Sequence, residues 1–189
     1  MSPQKDNRGF LILHGWAGSG PDHWQTWLAE QLSAAGEFVR YPVLPGYDAP
    51  SLVEWLSVLR QELAALDGVA ERVVICHSLA VVLWLHHANS QSASRVARLL
   101  FVAPPCPRGC LPEFASFFPA PLDNIALMRS AKQVRLICTD DDPYCPEGAA
   151  GYYGRALGIE TEILPPESGH INVESGYGPW PTALHWCLS

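Results

Sequence analysis

Four short stretches limit what this chain can fold into: Phe10-Leu11-Ile12-Leu13, Val73-Val74-Ile75, Leu99-Leu100-Phe101-Val102 and Leu136-Ile137-Cys138. Each is an unbroken apolar run that ends in loop-forming or polar residues. A half-exposed strand would alternate apolar and polar side chains, so unbroken runs of this length predict strands buried on both faces. Between them lie segments of helical period. Trp24, Trp27, Leu28, Leu32 and Ala35 repeat at helical spacing and Gly36 stops them. Leu52, Trp55, Leu56, Leu59, Leu63 and Leu66 line one face of a second helix, which Ser51 and Glu54 open as a capping box. Weaker strands are expected at 38–41 and 161–164, and the other four at 10–13, 72–75, 96–102 and 134–138. Further helices are expected after Ser78, over about 147–157 and over 183–187. Strands alternating with helices predict an α/β fold in three layers, a parallel sheet of about six strands with helices on both faces.

The chain has 189 residues, which suits one domain over 1–189 rather than two. Hydrophobic residues make up 48 % and charged residues 16 %, the balance of a globular protein. The formal net charge is -7, with lysine limited to Lys5 and Lys132. That argues against nucleic acid and anionic membrane as main partners, because no basic patch is evident to neutralise phosphates. No run approaches the roughly 18 apolar residues of a membrane span. Met1 to Arg8 carries no charged-then-apolar leader, so a cytoplasmic location is expected. The six cysteines, Cys76, Cys106, Cys110, Cys138, Cys145 and Cys187, lack metal-ligand spacing and are expected to be free thiols, several of them buried. Gly15, Gly18 and Gly20 do not have dinucleotide-loop spacing, and no lysine follows them for a phosphate loop. No cofactor and no metal are expected. The proline- and phenylalanine-rich segment 103–121 is either a small lid or a loop packed across the top of the sheet.

An open parallel sheet binds ligands beyond the carboxyl ends of its strands, so the residues following each strand matter most. The first strand is followed by His14-Gly15-Trp16, and the third by Cys76-His77-Ser78-Leu79-Ala80. The fifth leads to Thr139-Asp140-Asp141-Asp142-Pro143 and the sixth to Ser168-Gly169-His170. A serine between a buried strand and a buried helix reads as a nucleophile elbow, with Cys76 and Ala80 where the usual pattern has glycines. Serine, aspartate and histidine follow in the chain order of the α/β-hydrolases. Serine is a weak nucleophile that needs a base, and histidine suits that task near neutral pH. Ser78 and His170 are therefore candidate nucleophile and base. The acid is one of Asp140, Asp141 and Asp142. His77 is a weaker alternative base, since neighbours on an elbow point apart. His23, His86, His87 and His185 have no supporting context. The backbone N–H groups of Leu79 and Trp16 are candidate oxyanion donors, and His14, Gly15 and Trp180 are candidate substrate contacts.

These motifs resemble the small serine hydrolases related to retinoblastoma-binding protein nine, within the α/β-hydrolase superfamily. The similarity runs through 13–16, Gly20-Pro21-Asp22-His23-Trp24, the elbow, Asp141-Asp142-Pro143-Tyr144-Cys145-Pro146 and the long segment 169–181. It implies a reduced hydrolase sheet lacking two strands of the larger enzymes, in the order 2-1-3-4-5-6. It also selects Asp142, the aspartate directly before proline, as the triad acid. A methyl at Ala80, where the family has glycine, must fit against a neighbouring element. The family's link to a pocket protein does not carry over: Leu136-x-Cys138-x-Asp140 mimics the relevant motif only loosely, and in a predicted core strand. The function expected is a serine hydrolase cleaving small carboxylic esters, and also amides or thioesters, through an acyl-enzyme. The alternatives are a binding protein that keeps the fold without turnover, and a lyase using the same triad.

Overall fold

The computed structural model describes residues 8–90 and 93–189. The stretch Met1–Asn7, on which the reading of the leader rests, lies outside them. Six parallel strands form one sheet in the order β2-β1-β3-β4-β5-β6. They are β1 (Arg8–Leu13), β2 (Phe38–Arg40), β3 (Glu71–His77), β4 (Val96–Val102), β5 (Ala131–Cys138) and β6 (Glu160–Ile163). This is the α/β-hydrolase fold expected from the sequence. The four buried runs are the four central strands, and the two weak ones are the edges. Parallel neighbours need crossovers, and these are supplied by α1 (Trp24–Ala34), α2 (Leu52–Ala65), α3 (Leu79–Ala88), α4 (Asn124–Ser130) and a π-helical turn at Ala150–Arg155; α5 (Pro181–Leu188) follows β6.

Successive residues of each central strand face opposite sides, which makes the three layers. Phe10, Ile12, Val73, Ile75, Leu100 and Val102 pack with Trp24, Leu28 and Leu32 of α1 and Trp186 and Cys187 of α5. Leu11, Leu13, Val74, Cys76, Leu99 and Phe101 pack with α2, α3 and Leu127 of α4. Helix α3 is apolar all round because it is buried nearly all round, from Leu79 to Leu85. The helix over 147–157 is shorter than expected and includes the π turn. Helix α4 was not foreseen; its local signal is Asp123, whose side chain accepts the Ala126 N–H at 3.0 Å.

Segment 103–121 follows β4 and packs part of its length against the core. It carries two 3₁₀ turns, at Pro107–Gly109 and Pro112–Phe117, and Phe114 and Phe117 are buried. The His86 ring donates to the Phe117 carbonyl at 2.8 Å, and Trp55 meets the Phe117 ring edge-on. Cys106 and Cys145 are joined by a disulfide, which corrects the expectation of six free thiols; Cys76, Cys110, Cys138 and Cys187 are free. The pair is 39 residues apart, so no local spacing announced it. The fold brings the loops after β4 and β5 together, with the Cys106 N–H donating to the Tyr144 carbonyl at 2.9 Å. Among the described residues no helix is long and apolar enough to cross a membrane.

Candidate active site

Ser78 stands where central strand β3 turns into α3. Its φ of 55° and ψ of -123° place a non-glycine residue in a strained conformation. The turn is held because the Ser78 N–H donates to the Val102 carbonyl at 2.8 Å and the Ser78 carbonyl accepts from Val81 at 3.0 Å. Cys76 and Ala80 are fully buried beside it, so the methyl at Ala80 is accommodated in the core. Gly15 supplies the space in front. A Cβ there would lie 2.6 Å from the Ser78 Cβ and 3.0 Å from its Oγ. Gly15 is needed for close approach, and its φ is not positive.

The Ser78 hydroxyl donates to His170 Nε2 at 2.9 Å, and His170 Nδ1 donates to the Asp142 carboxylate at 2.8 Å and 3.0 Å. An ionised carboxylate only accepts, so it places the ring proton on Nδ1 and leaves Nε2 free for the serine proton. The three groups come from loops far apart in sequence, and all three residues are buried, at 7 %, 8 % and 3 % exposure. Asp142 also accepts the Tyr144 N–H at 2.8 Å. Its neighbour Asp141 does different work. Its two oxygens accept the Glu167 and Gly169 N–H groups at 2.7 Å and 3.1 Å, tying the β5 loop to the histidine loop. Thr139 donates to the Gly169 carbonyl at 2.6 Å, Ser175 accepts the His170 N–H at 3.1 Å, and the Trp24 indole donates to the Ile171 carbonyl at 2.8 Å. His170 is thereby fixed from three sides.

Two other histidines, His77 and His14, support the loops around the site. His77 donates from Nε2 to the His170 carbonyl at 3.1 Å, so it braces the histidine loop instead of meeting Ser78. Burial foremost, then the nearby His170 and His23, hold its pKa well below the usual value. His14 accepts the Leu44 N–H on Nε2 at 2.8 Å and donates from Nδ1 to the Gly15 carbonyl at 2.8 Å, shaping the loop after β1. Its pKa is lowered by burial, against the opposing bond to Gly15.

Ser78 opens into a cavity of about 310 Å3 lined by Trp16, Leu79, Phe114, Tyr144, His23 and Glu174 among others. That is the small end of the range for ligand pockets. Trp16 is pinned by its indole N–H, which donates to the Asp48 carbonyl at 2.9 Å. Among the described residues neither the Trp16 nor the Leu79 backbone N–H meets an acceptor. Of the expected substrate contacts, His14 and Gly15 do not line this cavity: Gly15 lies against Ser78, and His14 lines a neighbouring hollow with Tyr41 and Tyr47. Trp180 is displaced altogether: it is 7 % exposed and packs edge-on against Trp24 and Tyr177 in the core, because it opens α5 on the far face of the sheet. His23, Phe114, Tyr144 and Glu174 were not picked out from the sequence, since no spacing rule links them to Ser78. Cys106, Cys145 and Glu147 lie within 4.8 Å of one another as a group of possible metal ligands, but the two sulfurs are bonded to each other.

Comparison with known proteins bears on the fold and the family. None of the curated proteins compared matches the sequence significantly. Among solved structures, the ydeN gene product from B. subtilis superposes with a TM-score of 0.80 at 20% identity, covering 96% of this chain and 97% of that one. Est1E from Butyrivibrio proteoclasticus, with ferulic acid bound, gives 0.65 at 14% identity over 95% of this chain and 88% of the other. A structure from a study of LipS and LipT, two metagenome-derived lipolytic enzymes, gives 0.66 at 17% over 88% and 86%. At these identities the likeness establishes the fold. The family model described as serine hydrolase matches residues 10–187, nearly the whole chain, and the protein therefore belongs to the serine hydrolase family.

Proposed function

We propose that the protein hydrolyses small carboxylic esters, and the related amides or thioesters, through an acyl-enzyme on Ser78. The observation that carries this is the chain of contacts Ser78 Oγ to His170 Nε2 to Asp142, at 2.9 Å and 2.8 Å, opening into a cavity. His170 Nε2 takes the hydroxyl proton as Ser78 Oγ attacks the carbonyl carbon, and the carbonyl electron pair moves onto its oxygen. The Trp16 and Leu79 N–H groups receive that oxyanion; losing one such donor typically costs about 3–4 kcal/mol of barrier. Collapse of the tetrahedral species expels the alcohol oxygen, which leaves with the proton from His170. Water then repeats the sequence on the acyl-serine and regenerates the enzyme. Asp142 holds the productive tautomer throughout and stabilises the imidazolium.

The apolar lining from Trp16, Phe114 and Leu79 suits a short acyl chain, and the volume of about 310 Å3 argues for small substrates. The esterase and lipolytic neighbours on the same fold are in keeping with ester chemistry. A binding-only reading would draw on the missing elbow glycines, and the hydrogen bond from Ser78 to His170 favours turnover over it. A fluorophosphonate probe is expected to label the protein, and Ser78→Ala is expected to abolish labelling. Full labelling of that variant would refute the assignment, and failure to label the wild type would favour the binding-only reading.

A further inference from the structure

His23 has no task in the mechanism above, yet it borders the cavity that holds Ser78. It closes the N-terminus of α1, with Nδ1 accepting the Gln25 N–H at 3.1 Å. Burial first, then the nearby His170 and His14, lower its pKa to about 4, so the ring is neutral at ordinary pH. A neutral ring with Nδ1 committed as acceptor carries its proton on Nε2. The residue is 5 % exposed, and among the described residues this second nitrogen meets no hydrogen-bond partner. The residue lines the cavity rather than the closed core. A fixed N–H donor therefore stands at the cavity wall with its capacity unused.

The rings around the cavity fall into two groups. His23 meets His77 at 5.0 Å, His77 meets His170 at 5.0 Å, and His170 meets Tyr144 at 4.5 Å, which makes one continuous polar wall. Trp16 and Phe114, 5.8 Å apart, form with Leu79 and Pro105 an apolar one. The departing oxygen must receive its proton from His170 Nε2, so the leaving group lies along the polar wall. On the basis of the esterase reading, we infer that His23 is a specificity-determining donor: its Nε2–H binds an acceptor oxygen carried by the leaving group. The preferred substrates are then esters whose alcohol part bears an ether, hydroxyl or carbonyl oxygen a few bonds from the scissile oxygen.

The test compares isosteric esters in wild type and His23→Asn, because asparagine keeps the helix cap and withdraws the ring. Replacing one methylene by oxygen in the alcohol gives 2-methoxyethyl butyrate against butyl butyrate. The same replacement in the acid gives butyl methoxyacetate against butyl butyrate. The ratio of kcat/KM for the alcohol pair is expected to fall about tenfold in the variant, the worth of one neutral hydrogen bond, with the acid-pair ratio unchanged. An unchanged alcohol ratio, or an equal fall in both ratios, would overturn the inference. Should His23→Asn fold poorly, His23→Ser keeps a cap and is read the same way. Wild type that neither hydrolyses these esters nor reacts with the fluorophosphonate would bring down the esterase reading itself, a result distinct from intact turnover with unchanged ratios.

Discussion

Gly15→Ala is the substitution that most directly tests how Ser78 is aimed. The added Cβ would sit 2.6 Å from the Ser78 Cβ, 3.0 Å from Oγ and 3.2 Å from the His77 carbonyl oxygen. Carbon atoms settle at about 3.5–4.0 Å, so the two loops must part by roughly 1 Å. Neither yields easily. Ser78 is tied to Val102 at 2.8 Å on a strained turn, and the Gly15 carbonyl accepts from His14 at 2.8 Å. Overpacking of this kind costs about 1–3 kcal/mol of stability. A displacement of about 1 Å at the nucleophile costs about 100-fold in rate. Labelling by a fluorophosphonate under pseudo-first-order conditions, with nitrophenyl ester kcat/KM beside it, is expected to slow by that factor. The melting temperature is expected to fall by a few degrees. Gly151→Ala is the control, because a Cβ there meets nothing within 4 Å. Labelling of Gly15→Ala within twofold of wild type would refute the argument that Gly15 is required for close approach.

Acid is expected to unfold the protein through its buried histidines. His23 and His87 each have a pKa of about 4, lowered mainly by burial, against 6.5 in the unfolded chain. Below pH 6.5 the unfolded state takes protons that the native state refuses, so stability drops until about pH 4, by about 3 kcal/mol for each residue. His14 and His77 act in the same direction, and a urea midpoint that stays flat between pH 7 and pH 4.5 would contradict this. Asp142→Asn is expected to lower kcat by about 10⁴. Asp141→Ala, which loses only its bonds to the Glu167 and Gly169 N–H groups, is expected to cost no more than about tenfold and to lower the melting temperature; equal losses would mean that the acid has been misassigned. Thiol titration of the denatured, unreduced protein is expected to count four thiols per chain, rising to six after reduction, because Cys106 and Cys145 are paired.

Much of this molecule could be read from the residues in order, because the physics involved is local. Unbroken runs such as Phe10–Leu13 can only be buried on both faces, which dictates a parallel sheet covered by helices. A serine between such a run and the all-apolar helix after it projects from the carboxyl end of the sheet. Ser78 and His170 follow from that placement, and Asp142 follows from the resemblance carried by the aspartate before Pro143. What the sequence left open depends on distance in space. Asp141 and Asp142 are chemically identical neighbours; the turn after β5 gives one to two backbone N–H groups and the other to His170. Trp180 looks as suitable a cleft residue as Trp16, but the start of α5 buries it against Trp24. Cys106 and Cys145 meet only because β4 and β5 are neighbours in the sheet. His23 sits in a stretch shared with the family, but nothing in that stretch says which way its ring faces; α1, tied through Trp24 to the loop after β6, sets its place at the cavity. Period and residue type thus determined the layers and the chemistry of the candidate groups. The tertiary structure decided which of several equivalent side chains faces the cavity, because that choice is made by contacts between segments dozens of residues apart.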